Sequence, residues 1–117
     1  MKSKREYDAK LDEKKSRMVS DFIGNTPVIK LSDKLYAKLE SVNPGGSIKD
    51  RPVKWILDRS EELGLIKKGS TIIEATSGNT GISLAMMGAE RGYKIKIIMP
   101  GDMSEESYYE LLQVQPT

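Results

Sequence analysis

Lys49 stands where a glycine-rich loop, Asn43-Pro44-Gly45-Gly46-Ser47, gives way to a helical pattern. The positive end of a helix dipole disfavours the protonated form of an amine held there, which makes it a better nucleophile toward a carbonyl. A solvated surface lysine is the plain alternative. A second loop, Thr76-Ser77-Gly78-Asn79-Thr80-Gly81, also runs from a strand pattern into a helical one. Free N–H groups at such a helix opening suit a carboxylate or a phosphate, although an ordinary tight turn between strand and helix has the same composition. Neither loop fits the Walker or the dinucleotide-binding glycine pattern, so a nucleotide cradle is not supported.

Composition narrows the chemistry further. The chain has 117 residues with no cysteine and no histidine. That excludes disulfides, thiolate nucleophiles, cysteine-ligated zinc, a Ser-His-Asp triad and an HExxH metal helix, so no metal site is expected. Catalysis must then use lysine, carboxylates, hydroxyls, backbone dipoles or a borrowed cofactor. Nineteen Lys and Arg against seventeen Asp and Glu leave a net charge of +2, which gives no reason to expect nucleic acid or an anionic membrane as partner. No apolar run approaches a membrane span and the N-terminus lacks a secretory apolar region, so a cytoplasmic setting is expected.

The elements that must position the two loops follow from periodicity. Residues 1–20 are mostly charged, with Tyr7, Leu11 and Met18 as a thin stripe, and read as a charged N-terminal arm or helix. Ile23-Gly24-Asn25-Thr26-Pro27 is a turn. Val28 to Leu31 and Leu35 to Glu40 alternate as strands, and residues 43–47 form a flexible loop. A helix is expected from about Lys49 to Leu63, with Val53, Ile56, Leu57, Ser60 and Leu63 at its spacing and Gly64 as its stop. Thr71 to Ala75 reads as a strand, Ile82 to Arg91 as a helix closed by Gly92, Lys94 to Met99 as a strand, and Ser104 as the cap of a last helix. Alternating strands and helices imply an α/β fold with a parallel sheet and helices on both faces.

At this point the motifs resemble a known family. Residues 43–51, Asn43-Pro44-Gly45-Gly46-Ser47-Ile48-Lys49-Asp50-Arg51, followed by Glu74-Ala75-Thr76-Ser77-Gly78-Asn79-Thr80-Gly81, look like the two signature loops of the cysteine synthases (O-acetylserine sulfhydrylases). These are fold-type II enzymes dependent on pyridoxal phosphate. Ile23 to Pro27, Met99-Pro100 and Met103-Ser104 are similar to the family in order and spacing, and the Glu-Ala-Thr form looks closest to the B-type enzymes.

The resemblance implies an incomplete parallel three-layer α/β domain over residues 21–117, matching the N-terminal part of those enzymes, with the second domain absent. It implies that Lys49 joins pyridoxal 5′-phosphate as a Schiff base and, once released, removes the substrate α-proton. Asn79 would hydrogen-bond the cofactor's 3′-oxygen. Thr76, Ser77, Gly78, Asn79 and Thr80 would hold the substrate carboxylate. The reaction implied is β-replacement of O-acetylserine by sulfide to give cysteine. The family's phosphate-binding loop has no counterpart here, and residues 107–117 depart from the family pattern. A truncated half-site with little or no activity is therefore the expectation. Completion by a homo-oligomer or complementing chain is a second expectation. A non-catalytic module for small carboxylates or for a serine acetyltransferase tail is a third.

Overall fold

The computed structural model describes residues 17–76 and 78–101. The expected helix from Ser104, the arm before residue 17 and Ser77 lie outside them. Among the described residues no helix is long and apolar enough to cross a membrane.

Strands β1 (Val28–Ser32) and β2 (Leu35–Lys38) pair antiparallel, with an irregularity between Lys30 and Ser32. The sequence reading assigns two strands here without pairing them. Only Asp33 and Lys34 separate the two strands, and a parallel return needs a crossover of a dozen or more residues, so a hairpin is the one pairing open to them. The expected second strand is also shorter. It ends at Lys38, and Glu40–Val42 forms a 3-10 turn instead.

Helix α1 (Asp50–Glu62) follows the glycine-rich loop, with Pro52 in its first turn where a missing N–H costs nothing. Strand β3 (Thr71–Ala75), helix α2 (Asn79–Arg91) and strand β4 (Lys94–Ile98) then form a βαβ unit, with β3 and β4 parallel and in register from Thr71–Lys94 to Ala75–Ile98. Ile72, Ile95 and Ile97 pack on the core built by Val53 and Leu57 of α1, Leu84 and Met87 of α2, and Tyr93. Of the stripe expected on α1, Val53 and Leu57 are buried, whereas Ile56 and Leu63 are exposed. The opposite sheet face leaves Ile73 and Ile98 exposed. Close approach of α2 to the sheet depends on Gly88, where an added Cβ would lie 2.4 Å from Cγ1 of Ile95.

Charge and hydroxyl contacts fasten the two helices at their far ends. Arg91, in the last turn of α2, reaches Asp58 at 2.7 Å and Glu61 at 3.0 Å on α1, and the Tyr93 hydroxyl donates to Glu61. Burial, then the hydrogen bond to Glu61, pushes the Tyr93 phenol up to about 12. Because the folded value is raised, this contribution to stability is full below the ordinary phenol value near 10 and is lost as pH rises through about 12. An ultraviolet titration of tyrosinate should therefore show one phenol ionising well after the others. That late step should vanish in Tyr93→Phe, at a cost of about 1 kcal/mol in urea unfolding.

Candidate active site: two helix openings clamped together

The loop at residues 43–47 is expected to be flexible, yet side chains hold it. Asn43 is buried, and its amide nitrogen donates to Glu40 Oε2 at 2.7 Å, to the Glu40 carbonyl at 2.9 Å and to the Ser47 carbonyl at 3.1 Å. Its Oδ1 accepts from the Gly24 N–H at 2.8 Å. Arg51 is the second anchor. Its Nε donates to Glu40 Oε2 at 2.9 Å and its Nη2 to Glu40 Oε1 at 2.9 Å, a bidentate pair, while the Thr26 hydroxyl donates to Oε1 at 2.6 Å. The Gly24–Pro27 turn, the end of β2 and the start of α1 thus meet at one carboxylate. The partner of Arg51 is Glu40, eleven residues upstream.

These donors, Arg51 first and Thr26 next, hold the Glu40 carboxyl at about 2. Its folded value is depressed, so the contribution is present above the unfolded value of 4.5 and is lost as pH falls through about 2. The amide resonance of Gly24, which reports on Asn43, should stay in place from neutral pH to about 4.5 and move only below it. In Glu40→Gln that acid transition should be absent.

Asp50 opens α1 and is completely buried. The Gly45 N–H donates to its Oδ2 at 2.6 Å, and the Ser83 hydroxyl donates to its Oδ1 at 2.5 Å. Ser83 lies in the first turns of α2, so this bond joins the openings of the two helices. Lys49 immediately precedes Asp50 at the N-cap of α1. Its side chain is exposed and enters none of the ion pairs among the described residues.

The second loop sits at the same end. Helix α2 begins at Asn79, three residues before the expected Ile82, and its N-cap Gly78 provides no side-chain cap. The first intrahelical bond runs from the Ile82 N–H to the Gly78 carbonyl at 3.1 Å, which leaves the donors of Asn79, Thr80 and Gly81 without intrahelical partners. Thr76 is tied to the carboxyl end of β4 by its N–H to the Ile98 carbonyl at 3.0 Å, and its hydroxyl accepts from the Gly78 N–H at 3.3 Å. Thr76, Gly78 and Thr80 are half-buried and Asn79 is exposed. Ligands of parallel α/β sheets gather at this edge.

Sequence reasoning singled out Lys49 and the second loop as candidates and did not anticipate the contacts of Ser83 and Glu40. Ser83 alone carried a signal, being a hydroxyl between the apolar Ile82 and Leu84.

The family described as pyridoxal-phosphate dependent enzyme matches residues 19–114. The chain belongs to that family, whose cofactor is pyridoxal phosphate. Within it, the chain is 53% identical over 93 residues to cystathionine beta-synthase of Apis mellifera, covering 72% of this chain and 18% of that protein. It is 45% identical over 98 residues to cysteine synthase of Dictyostelium discoideum, covering 78% of this chain and 26% of that protein. The fold resembles the N-terminal part of fold-type II enzymes. The crystal structure of an O-acetylserine dependent cystathionine beta-synthase from Helicobacter pylori superposes with a TM-score of 0.78 at 36% identity, over 85% of this chain and 35% of the other. This chain thus spans between about a fifth and a third of these relatives.

Proposed function

We propose that this chain supplies the lysine and carboxylate half of a cysteine synthase-type site, which replaces the β-substituent of O-acetylserine by sulfide to give cysteine. The observation that carries the reading is the Asp50–Ser83 hydrogen bond of 2.5 Å, which ties the helix that Lys49 opens to the helix that begins at Asn79. Donor chemistry fits the family cofactor. Lys49 offers a primary amine with no ion-pair partner among the described residues, and a carbonyl needs an accessible amine.

When bound, pyridoxal phosphate supplies the electron sink for charge developing at the substrate Cα. The chain's own residues do the rest. Lys49 would hold the cofactor through Nζ and, as the free amine, take the proton from the substrate Cα. Asn79 would hydrogen-bond the cofactor's 3′-oxygen. The open N–H groups of the first turn of α2, with Thr76, Ser77, Gly78 and Thr80, would hold and orient the substrate carboxylate. The family's phosphate-binding loop is assigned to no residue of this chain, so weak turnover or none is expected of these 117 residues alone. The 53% identity to the Apis mellifera enzyme favours a second reading, in which the same half-site serves cystathionine formation. Neither Lys49 nor the cradle separates the two.

Titrating the unloaded chain with O-acetylserine, and with acetate as a bare carboxylate, checks the cradle by amide chemical shifts. The largest changes should fall on Thr76, Gly78, Asn79 and Thr80. Changes confined to other surfaces would contradict the reading. Binding at the cradle without cofactor attachment at Lys49 would instead mark a non-catalytic module for small carboxylates or for a serine acetyltransferase tail.

A further inference from the structure

We propose that Asp50 is a positioning residue for Lys49, acting by clamping the lysine-bearing loop to the helix that forms the carboxylate cradle. This rests on the reading of Lys49 as the cofactor lysine. Asp50 touches neither substrate nor cofactor in that reading; it acts through its neighbours.

Three observations carry the assignment. Asp50 is fully buried and enters no ion pair among the described residues, an arrangement that costs free energy unless hydrogen bonds offset it. Its two oxygens are divided between two elements, Oδ2 to the loop at Gly45 and Oδ1 to α2 at Ser83, thirty-three residues beyond Asp50. The carboxylate also approaches the loop so closely that a Cβ on residue 45 would lie 2.2 Å from Oδ1. A carboxylate needed only to satisfy the start of α1 would have no reason to reach Ser83, since an exposed Asp complements the helix dipole equally well.

The position therefore couples two rigid bodies. Asp50 is bonded to Lys49 through the chain and to the first turns of α2 through Ser83. Loosening either contact lets the amine drift from the cradle while each helix stays folded. Geometry of this kind matters because small misplacements of a reacting group lower its effective concentration steeply.

The test uses the full chain with the substitutions Ser83→Ala, Ser83→Thr and Asp50→Asn, each followed by three readouts. These are thermal midpoint, hydrogen exchange of residues 43–49 and 78–83 without cofactor, and the share of borohydride-fixed pyridoxal phosphate on Lys49 relative to Lys67 and Lys68. Ser83→Ala should speed exchange in both segments together and lower the Lys49 share about tenfold. Ser83→Thr, which keeps the hydroxyl, should restore both. Asp50→Asn should act in the same direction and more weakly, since its Oδ1 can still accept from the Gly45 N–H while its amide turns the Ser83 hydroxyl from donor to acceptor. If Asp50→Asn does not fold, the two Ser83 variants decide the matter.

Unchanged exchange and labelling in Ser83→Ala would overturn the proposal, and so would a lower midpoint with labelling per folded molecule unchanged, which marks a structural contact only. A wild-type chain with no preference for Lys49 would instead defeat the underlying function. The exchange readout would still report whether the clamp exists.

Discussion

Lys49→Arg should abolish retention of pyridoxal phosphate by the chain while leaving its unfolding curve within about 0.5 kcal/mol of the parent. Arginine keeps the charge and the length, but its guanidinium is always protonated and does not condense with a carbonyl. The side chain at residue 49 is exposed and enters no ion pair among the described residues, so the fold loses nothing by the change. The expected loss is therefore of attachment alone, and visible absorbance of the dialysed protein reads it. For a complete enzyme bearing the same loop, removing the acid–base role of this amine should cost at least about a hundredfold in turnover. A Lys49→Arg chain that still holds the cofactor after dialysis would place the attachment elsewhere.

The second large effect is expected at Gly45. A Cβ there would lie 2.2 Å from Oδ1, 2.9 Å from Cγ and 3.0 Å from Oδ2 of Asp50. No such contact is sustainable, and the atoms in the way belong to a fully buried carboxylate rather than to the loose end of a surface chain. Gly45→Ala must push Asp50 aside, which breaks the Gly45 N–H bond to Oδ2 and disturbs the Ser83 bond to Oδ1. Overpacking costs about 1–3 kcal/mol, and a lost hydrogen bond to a charged group about 1.5–3 kcal/mol. A destabilisation of about 2–5 kcal/mol in urea is expected, together with a weaker preference for Lys49 in labelling. Total stability of a domain is about 5–15 kcal/mol, so the variant is expected to lose a large share of it and to unfold at clearly lower urea.

Much of the fold was legible because local pattern and tertiary role coincide. The strand Thr71–Ala75 and the end of α2 at Arg91 fall where the sequence places them, since an apolar run bounded by turn residues has few other uses. The pairing of β1 with β2 was not read from the sequence, although two intervening residues leave only a hairpin. The start of α2 was placed late because Asn79 and Thr80 carry turn chemistry, and tertiary context draws them into the helix.

The candidate site was legible in the residues proposed to act and opaque in the contacts that support them. Lys49 and the Thr76–Thr80 loop announce themselves by type and position. Glu40 does not, because its partners Thr26, Asn43 and Arg51 come together only when the chain folds back through a hairpin and a 3-10 turn. The same holds for Asp50, whose acceptor geometry depends on an α2 serine far along the chain. A loop rich in glycine and asparagine reads as flexible by composition, yet three carbonyl and carboxylate acceptors around the buried Asn43 fix it in place. Supports of this kind carry no periodicity, so no window of sequence displays them.

The account depends most on where the cofactor becomes attached. Incubating the chain with pyridoxal phosphate, fixing it with borohydride and mapping the peptides measures this directly. Lys49 should carry most of the label, well above the exposed Lys67 and Lys68, and O-acetylserine should diminish it. Label spread evenly over the lysines, with Lys49 no richer than its neighbours, would contradict the assignment.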